Sequence, residues 1–267
     1  MTFVVAKLLA VVVALTASGA QEQEPRRIPF GVGERLVYDV KFGPLKAGTG
    51  SMEVTSIDTI RGRMAWRTVF RVKGGVAFYK VNDVMESWID TATFSSLRFV
   101  QDLRQGGKDR EKTYEIFPER STYTVNGGDE LPSVPDPLDD AAFLYFVRTV
   151  PLEIGQTYSY DRYFRPDRNP VRIKVLRRER VSVPAGTFQA IVVQPIIKAK
   201  GIFSENGRAE IWLSEDANRM MVQMKSNLPF GSLNLFLKSA RPPTVTIETP
   251  APPPSPPPPP SPPSGER

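Results

Sequence analysis

The sequence predicts a mostly β fold: a single large curved antiparallel sheet or half-open barrel of about 10–13 strands, with one helix covering it. Three observations lead to this class. Apolar and polar residues alternate with a period of two from residue 36 onward, turn-forming residues separate the alternating runs, and one segment alone has helical character. Strands joined by short turns, with few helices between them, pair antiparallel.

The alternation is clearest in two runs. Leu36, Tyr38 and Val40 fall on one face of a predicted strand, and Trp66, Thr68, Phe70 and Val72 share one face of another. Further strands are predicted over residues 45–56, 77–90, 96–104, 110–117, 120–125, 156–164, 170–182, 187–198, 208–214, 219–226 and 232–239.

The turns have the chemistry of hairpin connections. Asn126-Gly127-Gly128 and Asn206-Gly207 supply residues that tolerate positive φ, as hairpin turns require. Gly43-Pro44 and Pro184-Ala185-Gly186 divide two further pairs of strands.

One segment departs from the strand pattern. Residues 141–150 follow Asp139 and Asp140 and end before Pro151, with Arg148 near the carboxyl end, an arrangement that favours a helix. We expect this helix to cover one opening or face of the curved sheet. Asp139 and Asp140 are interpreted as capping residues, with a catalytic carboxylate pair as the alternative.

The ends of the chain are predicted to be separate from the folded domain. Residues 1–20 have the order of a secretory signal peptide: one cation, an apolar run and small residues, with cleavage after Ala20. This predicts a periplasmic or secreted protein without a membrane anchor after cleavage, an uncleaved amino-terminal anchor being the alternative. Residues 21–241 form the predicted globular domain, and the proline-rich residues 242–267 a disordered, polyproline II-like tail.

Composition narrows the chemistry. The 267 residues include no cysteine and no histidine, and the formal net charge is +6. The usual general base, the usual nucleophile–base pairs and the commonest transition-metal ligands are therefore missing. We predict no catalytic residues, no metal and no cofactor, although Asp83, Glu86 and Asp90 leave a carboxylate-based enzyme open. Glu86 and Asp90 share a strand face, and Asp83 points away from it.

Two sets of residues are candidates for binding. Arg172, Lys174, Arg177 and Arg178 form a basic strand that could contact an anionic lipid surface or polymer, the alternative being an edge strand guarded by charge. Without a recognition motif, nucleic acid is not an expected partner. The candidate ligand-binding residues on the curved sheet, with core packing as the alternative, are Trp66, Trp88, Trp212, Met224 and Phe236.

Several blocks of the sequence resemble a family of exported bacterial proteins known as domain of unknown function 3108. These blocks are Gly33 to Tyr38, Val183 to Phe188 and Ala209 to Ser214, followed by Asp216 and Arg219, and the resemblance spans residues 30–240. It implies a fold signature rather than an activity: Gly48 and Gly186 would serve turns or bulges, Trp212 would pack, and Asp216 with Arg219 would close a turn. The succession of strands is also similar to periplasmic lipoprotein carriers, whose curved sheet and helices enclose an apolar cavity.

These observations predict a non-catalytic envelope protein that binds a hydrophobic or amphipathic ligand, such as a lipid, or an envelope polymer. One alternative is an assembly factor that docks a partner through its proline-rich tail. Another is a carboxylate-based hydrolase that acts on an envelope polymer.

Overall fold

The computed structural model describes residues 28–76, 79–198, 209–228 and 231–245. The predicted signal peptide, the tail beyond Val245 and the predicted turn at Asn206-Gly207 lie outside these residues. Backbone contacts continue to the end of the described chain, where the amide groups of Thr244 and Val245 donate to the carbonyl of Val32.

The described residues form fourteen strands in one antiparallel sheet. In chain order the strands are β1 (Arg35–Phe42), β2 (Leu45–Ile60), β3 (Arg63–Val76), β4 (Tyr79–Asp90), β5 (Ser96–Gln105), β6 (Lys108–Phe117), β7 (Thr122–Val125), β8 (Leu131–Pro132), β9 (Thr157–Tyr160), β10 (Val171–Val183), β11 (Gly186–Ile196), β12 (Glu210–Ser214), β13 (Met221–Leu228) and β14 (Gly231–Arg241). The α-helix, α1, spans Asp140–Phe146 between β8 and β9.

The topology is two meanders joined side by side. Strands β1 to β8 follow each other across one part of the sheet, β9 to β14 follow each other across the rest, and β1 pairs with β14. Val40 lies opposite Leu235 in this central pair. The sheet does not close, because β8 and β9 form its two edges. The predicted class, a curved antiparallel sheet or half-open barrel with one helix, is confirmed.

The alternation read from the sequence decides which residues face the concave side. Leu36, Tyr38 and Val40 of β1 are buried there, whereas Asp39 and Lys41 project from the convex side. The Tyr38 hydroxyl donates to the carbonyl of Met221, 2.9 Å away across the interior. The core therefore lies inside the curve of the sheet.

The helix lies within this curve, and Asp139 begins it as its N-cap. The Asp139 carboxylate accepts hydrogen bonds of 2.8 Å from the amides of Ala141 and Ala142. Ser87 of β4 donates to the same carboxylate at 2.6 Å, and the Asp139 amide donates to Ser96 of β5 at 2.9 Å. The capping interpretation of Asp139 agrees with these bonds, which also attach the start of the helix to the sheet.

The helix is shorter than the sequence predicts, because it ends at Phe146 rather than extending to Val150. Arg148 was expected to complement the helix dipole, but its side chain is fully buried and binds Glu34. The chain leaves the helix after Phe146, and the turn that follows places Arg148 against Glu34. No helix among the described residues has the length and hydropathy needed to cross a membrane.

A close approach between β2 and β3 marks the end of the sheet away from the helix. Gly48 lies directly opposite Gly74. A Cβ atom added to Gly48 would stand 2.1 Å from the carbonyl oxygen of Lys73, and one added to Gly74 would stand 2.0 Å from that of Ala47. Two residues without side chains are therefore needed for the strands to approach this closely.

Candidate ligand-binding concavity

One half of the concave side is filled by aromatic side chains. Phe30 packs edge-on against Trp66 and Tyr145, with ring centroids 5.5 and 4.9 Å apart, and Phe94 lies 6.0 Å from both Phe30 and Trp66. All four side chains are buried. This half is a packed core around the helix, because close-packed rings leave no room for a ligand.

A buried ion pair between Glu34 and Arg148 also lies in this packed half of the concave side. The Arg148 guanidinium donates to both carboxylate oxygens of Glu34, at 2.7 and 2.8 Å, and also to the carbonyls of Pro29 and Asn218. Burial opposes the charge on Arg148, yet the neighbouring Glu34 carboxylate leaves the pKa of Arg148 above its ordinary value. The pair connects the segment before β1, the turn that follows the helix and the β12–β13 turn.

The other half of the concave side is open. Strands β3, β4 and β5 extend past the helix there, and their inward-facing apolar side chains are half-buried rather than buried. These side chains are Phe70, Val72, Val81, Met85 and Leu103. We call this surface the open concavity. Its floor is apolar and continuous with the core, since Phe70, Val72 and Met85 pack against core residues.

Polar groups interrupt the apolar floor toward β5. Asp83 lies between Val72 and Leu103 in the pairing register. Gln105 donates a side-chain hydrogen bond to the Asp83 carboxylate, and the Arg104 amide donates another at 3.0 Å. Burial raises the pKa of Asp83 above its ordinary value, with the two hydrogen bonds opposing the shift. The open concavity thus offers an apolar surface beside a hydrogen-bonding carboxyl and amide.

The structure places Trp66 and Met224, two of the five predicted ligand-binding residues, on the concave side. Trp66 is 1% exposed and belongs to the aromatic cluster around the helix. Met224 lies between Ile211 and Leu235 and is 4% exposed. Both residues pack in the core and stand apart from the open concavity.

The remaining three, Trp88, Trp212 and Phe236, lie on the convex side. Trp88 lies against the guanidinium groups of Arg67 and Arg98 and donates its indole N–H to Asp58. Trp212 and Phe236 share a cross-strand row through Gln223, where cations again cover the rings. The contacts are Arg177 and Lys225 over Trp212, and Lys41 over Phe236. The five predicted residues therefore do not converge on one site.

The predicted basic strand is β10, close to one edge of the sheet. Arg172 and Lys174 share its convex face, as the alternation predicts. Arg177 forms ion pairs of 2.9 Å with Glu179 and Glu210, and Arg178 forms one of 2.6 Å with Glu215. Much of the positive charge of this strand is thus balanced by the chain's own carboxylates.

The three carboxylates considered for catalysis occupy two faces of β4. Glu86 and Asp90 lie on the convex side, where Arg67 and Arg63 bind them at 2.6 and 2.7 Å. Asp83 lies on the concave side. The face assignment made from the sequence agrees with this arrangement, which separates Asp83 from the other two.

A groove of about 410 Å³ with both polar and apolar lining lies between the β10–β11 and β12–β13 turns. The residues that line it are Thr187, Phe188, Gln189, Ser214, Glu215 and Asp216. Asp216 accepts hydrogen bonds from Ser214 and from the amides of Asn218 and Arg219, so it closes the β12–β13 turn as the resemblance implies. The carboxylates of this groove are occupied by the protein itself.

Neither the position of the open concavity nor the Glu34–Arg148 pair is predicted by the sequence pattern. The alternation of apolar residues places Phe70 and Val72 on one strand face, but it does not predict how much of that face the helix covers. Glu34 lies just before the alternating residues of β1, and Arg148 ends the apolar run of residues 141–147. A lone charge at the end of an apolar run was the available signal for the buried pair.

The fold and the concavity define a class of half-open antiparallel barrels whose interior is plugged at one end by a short helix. The chain belongs to the family described as "Protein of unknown function (DUF3108)", which it matches over residues 37–238. No curated protein matches the chain.

Two solved structures are similar to this chain. The crystal structure of a β-barrel-like protein of domain of unknown function DUF1849 from Brucella abortus has a TM-score of 0.48 and 11% identity, covering 79% of this chain and 98% of that one. The crystal structure of a candidate lipoprotein from Parabacteroides distasonis has a TM-score of 0.36 and 13% identity, covering 80% of this chain and 99% of the other.

Proposed function

We propose that the protein is a non-catalytic binding module of the cell envelope that carries an amphipathic ligand in the open concavity. The apolar part of the ligand lies on Phe70, Val72 and Met85, and its polar part meets Asp83 and Gln105. The observation that carries this proposal is the half-burial of a continuous apolar floor beside a hydrogen-bonded carboxyl, on the inner side of a curved sheet.

The exposed apolar floor of the concavity favours a ligand with an apolar part. An exposed apolar surface on the concave side of a sheet is costly in water, and its burial against a ligand contributes about 25 cal/mol per Å² of apolar area. The carboxyl of Asp83 can pair with a hydroxyl, an amide or a cationic group of the ligand. A purely apolar ligand would bury this carboxyl further without adding a hydrogen bond to those from Gln105 and Arg104, which is unfavourable.

The cellular location in this proposal comes from the amino-terminal segment, whose signal-peptide pattern directs the chain out of the cytoplasm. The non-catalytic role is supported by the composition and by the engagement of Glu86 and Asp90 with arginines.

The proposal is tested by native mass spectrometry of the full chain expressed with its export signal and purified from the bacterial envelope. We expect a discrete co-purifying mass that is released by organic solvent. The variant Val72→Asp, which places a charge on the floor of the concavity, should lose that mass.

Val84→Asp is the matched control, since Val84 is also half-buried but projects from the convex side of the adjacent strand. It should retain the co-purifying mass. A clean apo mass for the wild-type chain, or equal retention by the two variants, would exclude the open concavity as the binding site.

A further inference from the structure

We propose that the end of the sheet formed by the β1–β2, β3–β4 and β5–β6 hairpins docks on the surface of an anionic lipid membrane. These hairpins stand side by side because β1 to β6 are consecutive neighbours in the sheet. We call the surface that the described residues form there the hairpin end; residues 77 and 78 of the second hairpin lie outside it. The docking does not depend on the proposed ligand, because it uses residues outside the open concavity.

Large apolar side chains are exposed at the hairpin end. Leu45, the first residue of β2, is 62% exposed, and Tyr79, the first residue of β4, is 51% exposed. The Tyr79 ring lies close to Gly106 in the next hairpin, where an added Cβ atom would approach the ring to 2.6 Å. Tyr79 is thus held across two hairpins with half of its surface in solvent. Aromatic and aliphatic side chains presented in this way suit the boundary between headgroups and acyl chains.

Lysines surround these apolar side chains. Lys41 lies directly opposite Lys46 across the first hairpin, Lys80 follows Tyr79, and Lys108 begins β6. Lys73 lies on β3, a few residues from the second hairpin, and all five lysines are exposed. Each lysine near an anionic membrane surface strengthens binding about fivefold, since it contributes about 1 kcal/mol.

The carboxylates of the hairpin end, which include the exposed Asp109 beside Lys108, balance only part of this charge. Asp39 is bound by Lys46 at 3.1 Å, with Lys238 at 3.9 Å, so it is shared between two lysines. Asp102 is paired with Arg104 at 2.9 Å. Lys73 and Lys80 have no ion pair among the described residues within the salt-bridge distance. The surface therefore combines exposed apolar side chains with two lysines, Lys73 and Lys80, that no described carboxylate pairs, a composition that a phosphate-rich lipid surface complements.

The hairpin end is adjacent to the mouth of the open concavity. Val81 follows Tyr79 by two residues on β4, and Leu103 precedes the third hairpin by two residues on β5. A membrane bound at the hairpin end would face the apolar floor of the concavity. An amphipathic ligand could then move between the bilayer and the protein without crossing bulk water.

Cosedimentation of the full chain with vesicles tests the docking. Vesicles of equal parts phosphatidylcholine and phosphatidylglycerol should bind the wild-type chain, and vesicles of phosphatidylcholine alone should bind it much more weakly. The double variant Lys73→Gln/Lys80→Gln should reduce binding to the anionic vesicles about twenty-five-fold, the product of about fivefold for each lysine. Leu45→Asp should reduce it about tenfold or more, because the leucine side chain no longer enters the interface.

Two controls decide the outcome. Met64→Asp changes an apolar residue of similar exposure, 58%, near the start of β3 at the opposite end of the sheet, and should leave vesicle binding unchanged. Arg172→Gln/Lys174→Gln changes two cations of β10 and should also leave it unchanged. Loss of binding in this second control with retention in Lys73→Gln/Lys80→Gln would move the contact to β10 and overturn the proposal. So would equal binding to the two kinds of vesicle.

Val72→Asp separates the docking from the ligand. This variant should lose the co-purifying mass yet bind anionic vesicles as the wild type does. Failure of the ligand proposal leaves vesicle binding intact, and failure of the docking proposal leaves the co-purifying mass intact.

Discussion

Glu34 and Arg148, separated by 114 residues in the chain, form a two-pronged ion pair inside the protein. Their side chains are 2% and 0% exposed. Glu34 ends the segment that enters β1, and Arg148 follows the helix that plugs the concave side. The pair therefore joins the amino-terminal segment to the plug, and the Arg148 carbonyl in turn accepts a hydrogen bond from Arg219 of the β12–β13 turn.

Removal of one member of this pair is expected to destabilise the fold strongly. Glu34→Gln leaves the Arg148 charge buried without its carboxylate, which should lower the free energy of unfolding by about 3–5 kcal/mol. The double variant Glu34→Leu/Arg148→Met should cost less than the sum of Glu34→Leu and Arg148→Met, because it leaves no unpaired charge. Urea denaturation of these four variants and the wild type measures both quantities. Additive costs would mean that the two charges do not depend on each other.

Stability should also depend on pH through Asp139. Burial raises the pKa of Asp139 from 3.8 to about 6, although hydrogen bonds from Ser87 and the Ala142 amide oppose the shift. The folded state then holds the Asp139 proton more tightly than the unfolded state. The stabilisation that this provides is present below pH 3.8 and is lost as the pH rises to about 6, amounting to about 3 kcal/mol.

Asp139→Asn is the variant that isolates this effect. Asparagine keeps a cap acceptor for the Ala141 and Ala142 amides, but it carries no charge. Its stability relative to wild type should increase between pH 4 and pH 6 by about the amount that Asp139 loses. Asp139→Ala, which removes the cap, should be less stable than Asp139→Asn at every pH by about 1 kcal/mol. Parallel stability curves for Asp139→Asn and wild type would show that the carboxyl does not titrate in this range.

The sequence predicted the sheet because alternation is a local property. Leu36, Tyr38 and Val40 repeat every second residue whatever lies opposite them, and the Asp139 cap is likewise encoded within a few residues. The convex position of Trp212 was harder to predict from the sequence, because several residues of β12 and β13 are buried on both faces of the sheet. Its large aromatic side chain suggested a ligand-binding position on the concave side. In the structure, Arg177 and Lys225 cover the Trp212 ring on the convex side instead.

The limits of the candidate site depend on distant parts of the chain. Val72 and Trp66 share one strand face, yet the helix covers Trp66 and leaves Val72 half-buried. Which part of the face is covered is set by the length of the helix and by its attachment to Ser87 and Ser96. No periodicity within β3 contains that information.

The close approach of Gly48 and Gly74 should make these positions intolerant of any side chain. Gly48→Ala would press a Cβ atom against the backbone of β3, which cannot rotate away, and should cost about 2–3 kcal/mol. Gly62→Ala is the control, because Gly62 has a φ of +78° but no atom near its Cβ position, so it should cost about 1–2 kcal/mol. Denaturation midpoints measure the difference. If Gly48→Ala cost less than Gly62→Ala, β2 and β3 would not be as close as described.

Replacement of a core aromatic residue by alanine should cost more stability than replacement of an aromatic residue on the convex surface. Trp66 is buried on the concave side between Phe30 and Phe94, so Trp66→Ala should lower the free energy of unfolding by about 3–5 kcal/mol. Phe236 is half-buried on the convex side under Lys41, so Phe236→Ala should cost less than Trp66→Ala. Calorimetric or urea unfolding of the two variants tests the order of the two costs. The reverse order would place Phe236 within the core and Trp66 at an accessible surface, because the cost of truncation increases with the apolar area that the side chain buries.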